Sequence, residues 1–186
     1  MPPRSDPQFT RVRTYLHDRR GLSLTIIDAL RGAGRLYADP RGNAVFVMVA
    51  GQPPRTVGAE LRGTTSRIWH GLAPGSRRDA GYFWFGDPSA KQIVLCESAI
   101  DAASCYELHH RIATTDTLLI CISTAGVRSD APWLAPLLTR GYLLSCGFDN
   151  DDAGNTAASR MMARYPTIHR LLATAHDWND ALRAQP

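Results

Sequence analysis

The chain has 186 residues, of which 44% are apolar and 20% are charged. This composition is ordinary for one or two globular domains with a buried core, and it excludes collagen-like, coiled-coil and disordered proteins. The sequence contains neither an apolar run of about 18 residues nor a secretory signal, so we expect a soluble, cytoplasmic protein that does not enter a membrane.

Charge is distributed unevenly along the chain. Residues 1–88 hold thirteen arginines against seven acids, a net charge of +6, whereas residues 89–186 hold eight basic residues against ten acids, a net charge of −2. Only one basic residue of the chain is a lysine, and a GC-rich genome that favours arginine codons is the better explanation for that ratio. The asymmetry itself predicts a surface that binds a polyanion beside a site that binds a metal ion.

The first half shows the pattern of a small α+β unit. Apolar residues at helical spacing predict a helix over 8–20, and Ser23 is a plausible N-cap for a second helix that ends near Gly32. A hairpin and a third strand follow, and residues 64–80 are expected to be irregular. A fourth strand is expected over 81–85, and the turn at 86–89 suggests a boundary, so that residues 1–88 form the first domain.

The second half alternates apolar strands with helices, which predicts a mostly parallel four-stranded sheet flanked by helices over residues 89–186. The expected strands are QIVLCES, TLLICIS, GYLLSCGF and a weaker one near His169. Helices are expected over 99–111, 131–140 and 153–164, with a short one closing the chain.

Acidic residues follow these strands directly. Glu97 follows the first strand, Asp149 and Asp151 follow the third, and Asp177 precedes the last helix. The carboxyl ends of parallel strands share one edge, so these carboxylates are expected to converge, although 52 and 28 residues separate them in sequence. Carboxylates at close range raise one another's pKa, and a divalent cation such as Mg²⁺ resolves the conflict.

Simpler explanations exist for some of these acids. Asp151 or Asp152 could cap the following helix, which is the commoner role for a run of this kind. Asp101 could support the metal ligands, or it could be an acid favoured by the helix dipole. A purely structural role is less plausible for Glu97, because a carboxylate at the end of an apolar strand is unfavourable unless something binds it.

These residues resemble the Toprim family, which includes bacterial primases, type IA and type II topoisomerases and some nucleases. The resemblance rests on segments 96–102 (CESAIDA), 123–126 (STAG) and 148–154 (FDNDDAG), and on a variant of a later acidic motif at 176–180 (HDWND). The first half is similar, more weakly, to the basic subdomain that precedes Toprim in primases. The short Toprim proteins of plasmids and mobile elements are the most similar group. The zinc-binding module and the helicase-binding region of primases have no counterpart here, which leaves template recognition and replisome recruitment in doubt.

The resemblance implies roles for particular residues. Glu97, Asp149 and Asp151 would be catalytic, and these three with Asp177 would hold Mg²⁺ or Mn²⁺. Asp101 and Asp180 would support those ligands from behind. Nucleic-acid or nucleotide phosphates would be bound by three arginines, which could equally be ordinary surface residues: Arg62, Arg77 and Arg78.

Three functions remain open at this stage. The first is primase-type nucleotidyl transfer on single-stranded DNA with nucleoside triphosphates. The second is a metal-dependent nuclease with the same ligands. The third is a non-catalytic nucleic-acid-binding module that works with a larger replication or transfer protein of a mobile element.

Overall fold

A computed structural model of the chain describes residues 1–67, 69–112 and 118–185. The chain divides between Phe83 and Trp84 into two compact units. Its strands form two sheets, one of four strands and one of five. Within the described residues, every helix is too short or too polar to span a membrane.

The first unit contains two helices and an antiparallel sheet. Ser23 caps the second helix, because its hydroxyl accepts a hydrogen bond from the backbone N–H of Ile26. The first helix continues for one π-helical turn over Tyr15–Arg19. The strands pair in the order β1-β2-β3-β4. The elements are α1 (Asp6–Thr14), α2 (Leu24–Gly32), β1 (Leu36–Ala38), β2 (Ala44–Ala50), β3 (Arg55–Arg62) and β4 (His70–Leu72).

Strand β4 lies in the segment that the sequence predicts to be irregular. It pairs antiparallel with β3, with Leu72 opposite Glu60 and His70 opposite Arg62. A three-residue strand is too short to show an alternating apolar pattern, and it forms because the edge of β3 offers it backbone partners. The prediction of irregular structure over 64–80 was therefore wrong for these residues.

The second unit confirms the predicted α/β architecture, which is a mainly parallel sheet with helical crossovers. In the sequence it follows the small α+β unit. Strands β7, β6, β8 and β9 are parallel neighbours in that order. A fifth strand, β5, lies beside β7, whereas the sequence assigned it to the first half. Periodicity identifies a strand but does not indicate which sheet it joins. The elements are β5 (Phe83–Gly86), β6 (Gln92–Cys96), α3 (Ala99–Ile112), β7 (Leu119–Ser123), α4 (Leu134–Thr139), β8 (Leu143–Cys146), α5 (Asp152–Arg164), β9 (His169–Arg170) and α6 (Trp178–Arg183).

Helix α4 is shorter than the predicted 131–140. It begins at Leu134 and tolerates Pro136 because the N–H groups of a first helical turn have no partner within the helix. Helix α6 is fixed to the rest of the unit by two buried hydrogen bonds. The Trp178 indole donates to the carbonyl of Gly147 at 2.7 Å, and the Asn179 amide donates to the hydroxyl of Ser104 at 3.0 Å.

The parallel register aligns the carboxyl ends of the central strands. Cys96 lies opposite Ser123, and Leu95 lies opposite Cys146. Glu97 and the segment after β8 therefore emerge at the same edge of the sheet. We call this edge, where these two segments leave the sheet, the acidic rim.

Gly154 lies in the first turn of α5, against the backbone of the acidic rim. A Cβ at this position would stand 2.2 Å from the carbonyl oxygen of Asp149. We expect Gly154→Ala to lower the free energy of unfolding by about 1–3 kcal/mol, because the backbone has to move apart. Thermal and urea unfolding followed by circular dichroism would measure the change.

The matched control is Gly32→Ala in helix α2, where no described atom lies within 4 Å of the added Cβ. Alanine favours a helix over glycine by about 1 kcal/mol, so this variant should be as stable as the wild type or slightly more stable. An unchanged stability of Gly154→Ala would contradict the close approach of α5 to Asp149.

Candidate metal centre

Glu97 and Asp149 are in direct contact at the acidic rim. The backbone N–H of Asp149 donates to Oε1 of Glu97 at 3.1 Å, which joins the end of β6 to the segment after β8. Burial raises the pKa of Glu97, and the nearby charge of Asp151 raises it further against the opposing effect of that hydrogen bond. Glu97 therefore holds a proton closer to neutral pH than an ordinary glutamate does.

Asp151 and Asp177 are the N-caps of helices α5 and α6, which start near this edge. Oδ1 of Asp151 accepts from the N–H of Gly154 at 2.7 Å, and Oδ1 of Asp177 accepts from the N–H of Asp180 at 2.6 Å. Each cap fixes its carboxylate with one oxygen. The second oxygen of each, Oδ2, lies within 4 Å of a ring nitrogen of His176.

His176 lies between these two carboxylates. Its Nε2 is 3.8 Å from Oδ2 of Asp151, and its Nδ1 is 3.9 Å from Oδ2 of Asp177. Its carbonyl accepts a hydrogen bond from the N–H of Asn150 at 2.7 Å, which ties this segment to the one after β8. One potential ligand atom from each of Asp149, His176 and Asp177 lies within 4.8 Å of the other two.

Asp149 is a strongly perturbed carboxyl group of the rim. Its pKa is raised to about 8, first by burial and then by the charges of Asp101, Glu97, Asp177 and Asp151. Its Oδ1 is buried and has no hydrogen-bond partner among the described residues. A buried polar atom without a partner is costly, so this oxygen is suited to an ion that would bind it.

Arg170, at the end of β9, organises the main chain of the rim. Its guanidinium donates to the carbonyls of Cys146, Phe148 and Asp149 at 3.2, 2.8 and 3.0 Å, and to Oδ1 of Asn155 at 2.9 Å. A planar fork with several donors can hold several acceptors at once. Arg170 therefore fixes the path of the segment that carries Asp149.

The two supporting acids occupy different places. Asp101 is buried, 7% exposed, and accepts a hydrogen bond from the Ser98 hydroxyl at 2.5 Å. Its charge contributes to the raised pKa of Asp149. Asp180 is exposed, and its carboxylate faces Arg183 at 3.5 Å, so it contacts Asp177 through its backbone N–H rather than its side chain.

The three arginines expected to bind phosphate all lie in the first unit. Arg62 is half-buried at the end of β3, opposite Ala44 and His70 in the sheet. Arg77 and Arg78 are exposed and line a concave site of about 510 Å³ together with Leu72 and Ser76. They could offer guanidinium groups to an anion.

Two residues of the rim were missed by the sequence analysis. His176 directly precedes Asp177, so its position next to a candidate ligand was the available signal. Arg170 is the last residue of a weak strand. The available signal was that parallel strands end at one edge of a sheet, which places this residue near the acids. Neither is distinctive in isolation, because a single histidine or arginine in a polar segment is usually a surface residue.

Both halves of the chain match models of known families. Residues 14–88 match the model described as a protein of unknown function, DUF3991, and residues 94–182 match the Toprim-like model. No curated protein matches the chain.

Several solved structures are similar in fold. The DnaG catalytic core aligns at a TM-score of 0.66 and 16% identity, covering 97% of this chain and 70% of that one. The primase fragment of the bacteriophage T7 primase-helicase aligns at 0.61 and 18%, covering 88% and 66%. A chain from the complex of the bacteriophage T7 lagging-strand DNA polymerase with primase domains of two gp4 subunits aligns at 0.57 and 19%, covering 88% and 81%. Residues 94–182 of the chain therefore belong to the Toprim-like family, and residues 14–88 belong to a family whose function is unknown.

Proposed function

We propose that the chain is a metal-dependent enzyme of nucleic-acid chemistry that transfers nucleotides on single-stranded DNA, as primases do. The observation that carries this proposal is the buried Oδ1 of Asp149, which has no hydrogen-bond partner in the described part of the chain and lies among the carboxylates of the acidic rim. The structural likeness to the DnaG core and to the T7 primase fragment supports it at the level of fold. The similar T7 complex contains an RNA/DNA hybrid and dTTP, which are ligands of the proposed chemical class.

The donor set of the rim fits Mg²⁺ or Mn²⁺. Hard divalent cations prefer carboxylate oxygens, and the proposed ligands are Glu97, Asp149, Asp151 and Asp177. Such an ion would polarise a phosphoryl oxygen and offset the negative charge that develops at the attacked phosphorus. It would also remove the cost of keeping Asp149 ionised among other acids.

The chain's own residues hold the reacting groups and move protons. Asp151 and Asp177 are held rigidly because each uses one oxygen to cap a helix. Glu97 either shares the ion or acts as the general acid and base; in the second role its raised pKa lets the carboxylate take up a proton from an attacking hydroxyl and release it later. We assign Arg62, Arg77 and Arg78 to binding nucleic-acid or nucleotide phosphates. Residues 1–88 would then be the phosphate-binding domain and residues 89–186 the catalytic one. Cooperation with a larger replication or transfer protein remains a prediction.

Activity would be tested with purified protein, single-stranded DNA templates, nucleoside triphosphates and Mg²⁺ or Mn²⁺. We expect short oligonucleotides to be synthesised, and we expect Asp149→Asn to lower the rate at least about 100-fold, since it removes charge where the ion would bind. The matched control is Asp152→Asn, an exposed acid three residues along that should retain near wild-type activity.

The same variants separate the alternatives. Nicking of plasmid DNA without triphosphates, lost in Asp149→Asn, would identify a nuclease instead. DNA binding without any product, unchanged or tighter in Asp149→Asn, would identify a non-catalytic binding module.

The raised pKa of Asp149 predicts how stability depends on pH without a metal. An aspartate in an unfolded chain has a pKa of about 3.9, whereas in the folded protein the pKa of Asp149 is about 8. The folded state holds this proton more tightly, so the stabilisation linked to Asp149 is complete below about pH 4 and is lost as the pH rises towards 8.

In EDTA, Asp149→Asn should therefore unfold at a higher temperature than the wild type, and its advantage should grow between pH 5.0 and pH 8.5. We expect a growth of at least about 2–4 °C, the shift produced by 1 kcal/mol in a chain of this size. Adding Mn²⁺ at pH 8.5 should raise the midpoint of the wild type and leave that of the variant unchanged. An advantage that does not vary with pH would refute the raised pKa.

A further inference from the structure

His176 belongs to the group of potential ligand residues at the acidic rim, together with Asp149 and Asp177, but the proposed ligand set of four carboxylates does not include it. Its two ring nitrogens face Oδ2 of Asp151 and Oδ2 of Asp177 at 3.8 and 3.9 Å. Both separations are too long for a hydrogen bond. Ligand atoms that share one ion, each about 2.0–2.2 Å from it, lie about 3–4 Å apart. Each ring nitrogen stands at such a separation from one carboxylate oxygen. Because a single ion binds only one nitrogen of an imidazole, the ring can share an ion with Asp151 through Nε2 or with Asp177 through Nδ1.

The neighbours of His176 are already anchored. Asp151 and Asp177 each use Oδ1 to cap a helix, so the oxygens that face the imidazole are the ones left over. The backbone of His176 is anchored as well, because its carbonyl accepts from Asn150. One ring nitrogen of His176, one carboxylate oxygen of Asp149 and one of Asp177 lie within 4.8 Å of one another, and Oδ1 of Asp149 is buried without a partner among the described residues.

Two physical roles would account for this placement. As a protonated imidazolium, His176 would offset the negative charge of the acids when no metal is bound. As a neutral imidazole, it would supply a nitrogen ligand. The roles differ in their effect on ion choice. Carboxylate oxygens suit both Mg²⁺ and Mn²⁺, but a nitrogen ligand adds more to the binding of a first-row transition ion such as Mn²⁺ than to that of Mg²⁺, whereas a counter-charge acts on both ions alike.

We propose that His176 is a direct ligand of the ion and makes the centre selective for Mn²⁺ over Mg²⁺. The inference rests on the proposed function, since it concerns the ion of the same centre. It assigns a nitrogen ligand to a site whose other proposed ligands are all carboxylates, and it makes residue 176 the determinant of which metal the chain uses.

Calorimetric titration of the metal-free chain with Mn²⁺ and with Mg²⁺ tests the selectivity without nucleic acid. We expect the preference for Mn²⁺ to fall about tenfold or more in His176→Asn, while the affinity for Mg²⁺ changes by less than about threefold. The matched control is His70→Asn, which removes an exposed histidine of the first unit and should leave both affinities unchanged. Thermal unfolding of each variant would confirm that it folds.

Pulsed electron paramagnetic resonance of the Mn²⁺-loaded wild type provides a second measurement that needs no variant. Imidazole coordination should give a ¹⁴N coupling, which should disappear in His176→Asn. Equal changes in affinity for both ions would overturn the proposal in favour of the counter-charge role. A missing ¹⁴N coupling, or one that persists in the variant, would overturn it as well. These results would leave the carboxylate centre and the proposed function intact, whereas a wild type that binds neither ion would refute both.

Discussion

Repulsion between carboxylates is the constraint on which the acidic rim depends. Glu97, Asp101, Asp151 and Asp177 all act on the pKa of Asp149, so five acids share one edge of a sheet. The chain limits the cost by giving most of them a hydrogen-bond donor. Glu97 accepts from the Asp149 N–H, Asp101 from the Ser98 hydroxyl, and the two capping acids from helix N–H groups. Asp149 is left with a buried oxygen that no described residue satisfies, and the cost of the arrangement is concentrated there.

Arg170 explains why this arrangement does not spread apart. Its side chain binds three carbonyl oxygens, one at the last residue of β8 and two in the segment that follows, and its positive charge opposes the raised pKa of Glu97. Arg170 also donates a hydrogen bond to Oδ1 of Asn155, which connects the same segment to helix α5. A single guanidinium thus fixes the backbone from behind, while the acid side chains remain directed at the space where an ion would bind. Arginine can bind several carbonyl oxygens at once because its guanidinium is a planar fork with five donors. The compact ammonium group of lysine does not have this geometry.

The sequence was sufficient for the fold and for the convergence of the acids. Buried strands alternating with helices fix a parallel sheet, and parallel strands bring their following residues to one edge, so Glu97 and Asp149 could be placed together without coordinates. The sequence failed where tertiary contacts decide the outcome. Strand β4 exists only because β3 offers it an edge, and β5 joins the second sheet for reasons outside its own residues. The position of His176 depends on a hydrogen bond between two loops, which no periodicity encodes. The ligand roles of the acids and the phosphate-binding roles of the arginines remain predictions.

Helix capping and metal binding are compatible roles for Asp151. A carboxylate has two oxygens, and the cap uses Oδ1 while Oδ2 faces His176. The same is true of Asp177 at the start of α6. Capping even favours ligation, because an oxygen bound to a helix N–H cannot rotate away and the other oxygen is then presented in one direction. The positive end of the helix dipole also lowers the cost of the negative charge while no ion is bound. A run of acids at the start of a helix is therefore not evidence against a metal site. A proposed metal site at such a cap needs a second acid from a distant part of the chain, and Glu97 lies at this edge, in contact with the backbone of Asp149.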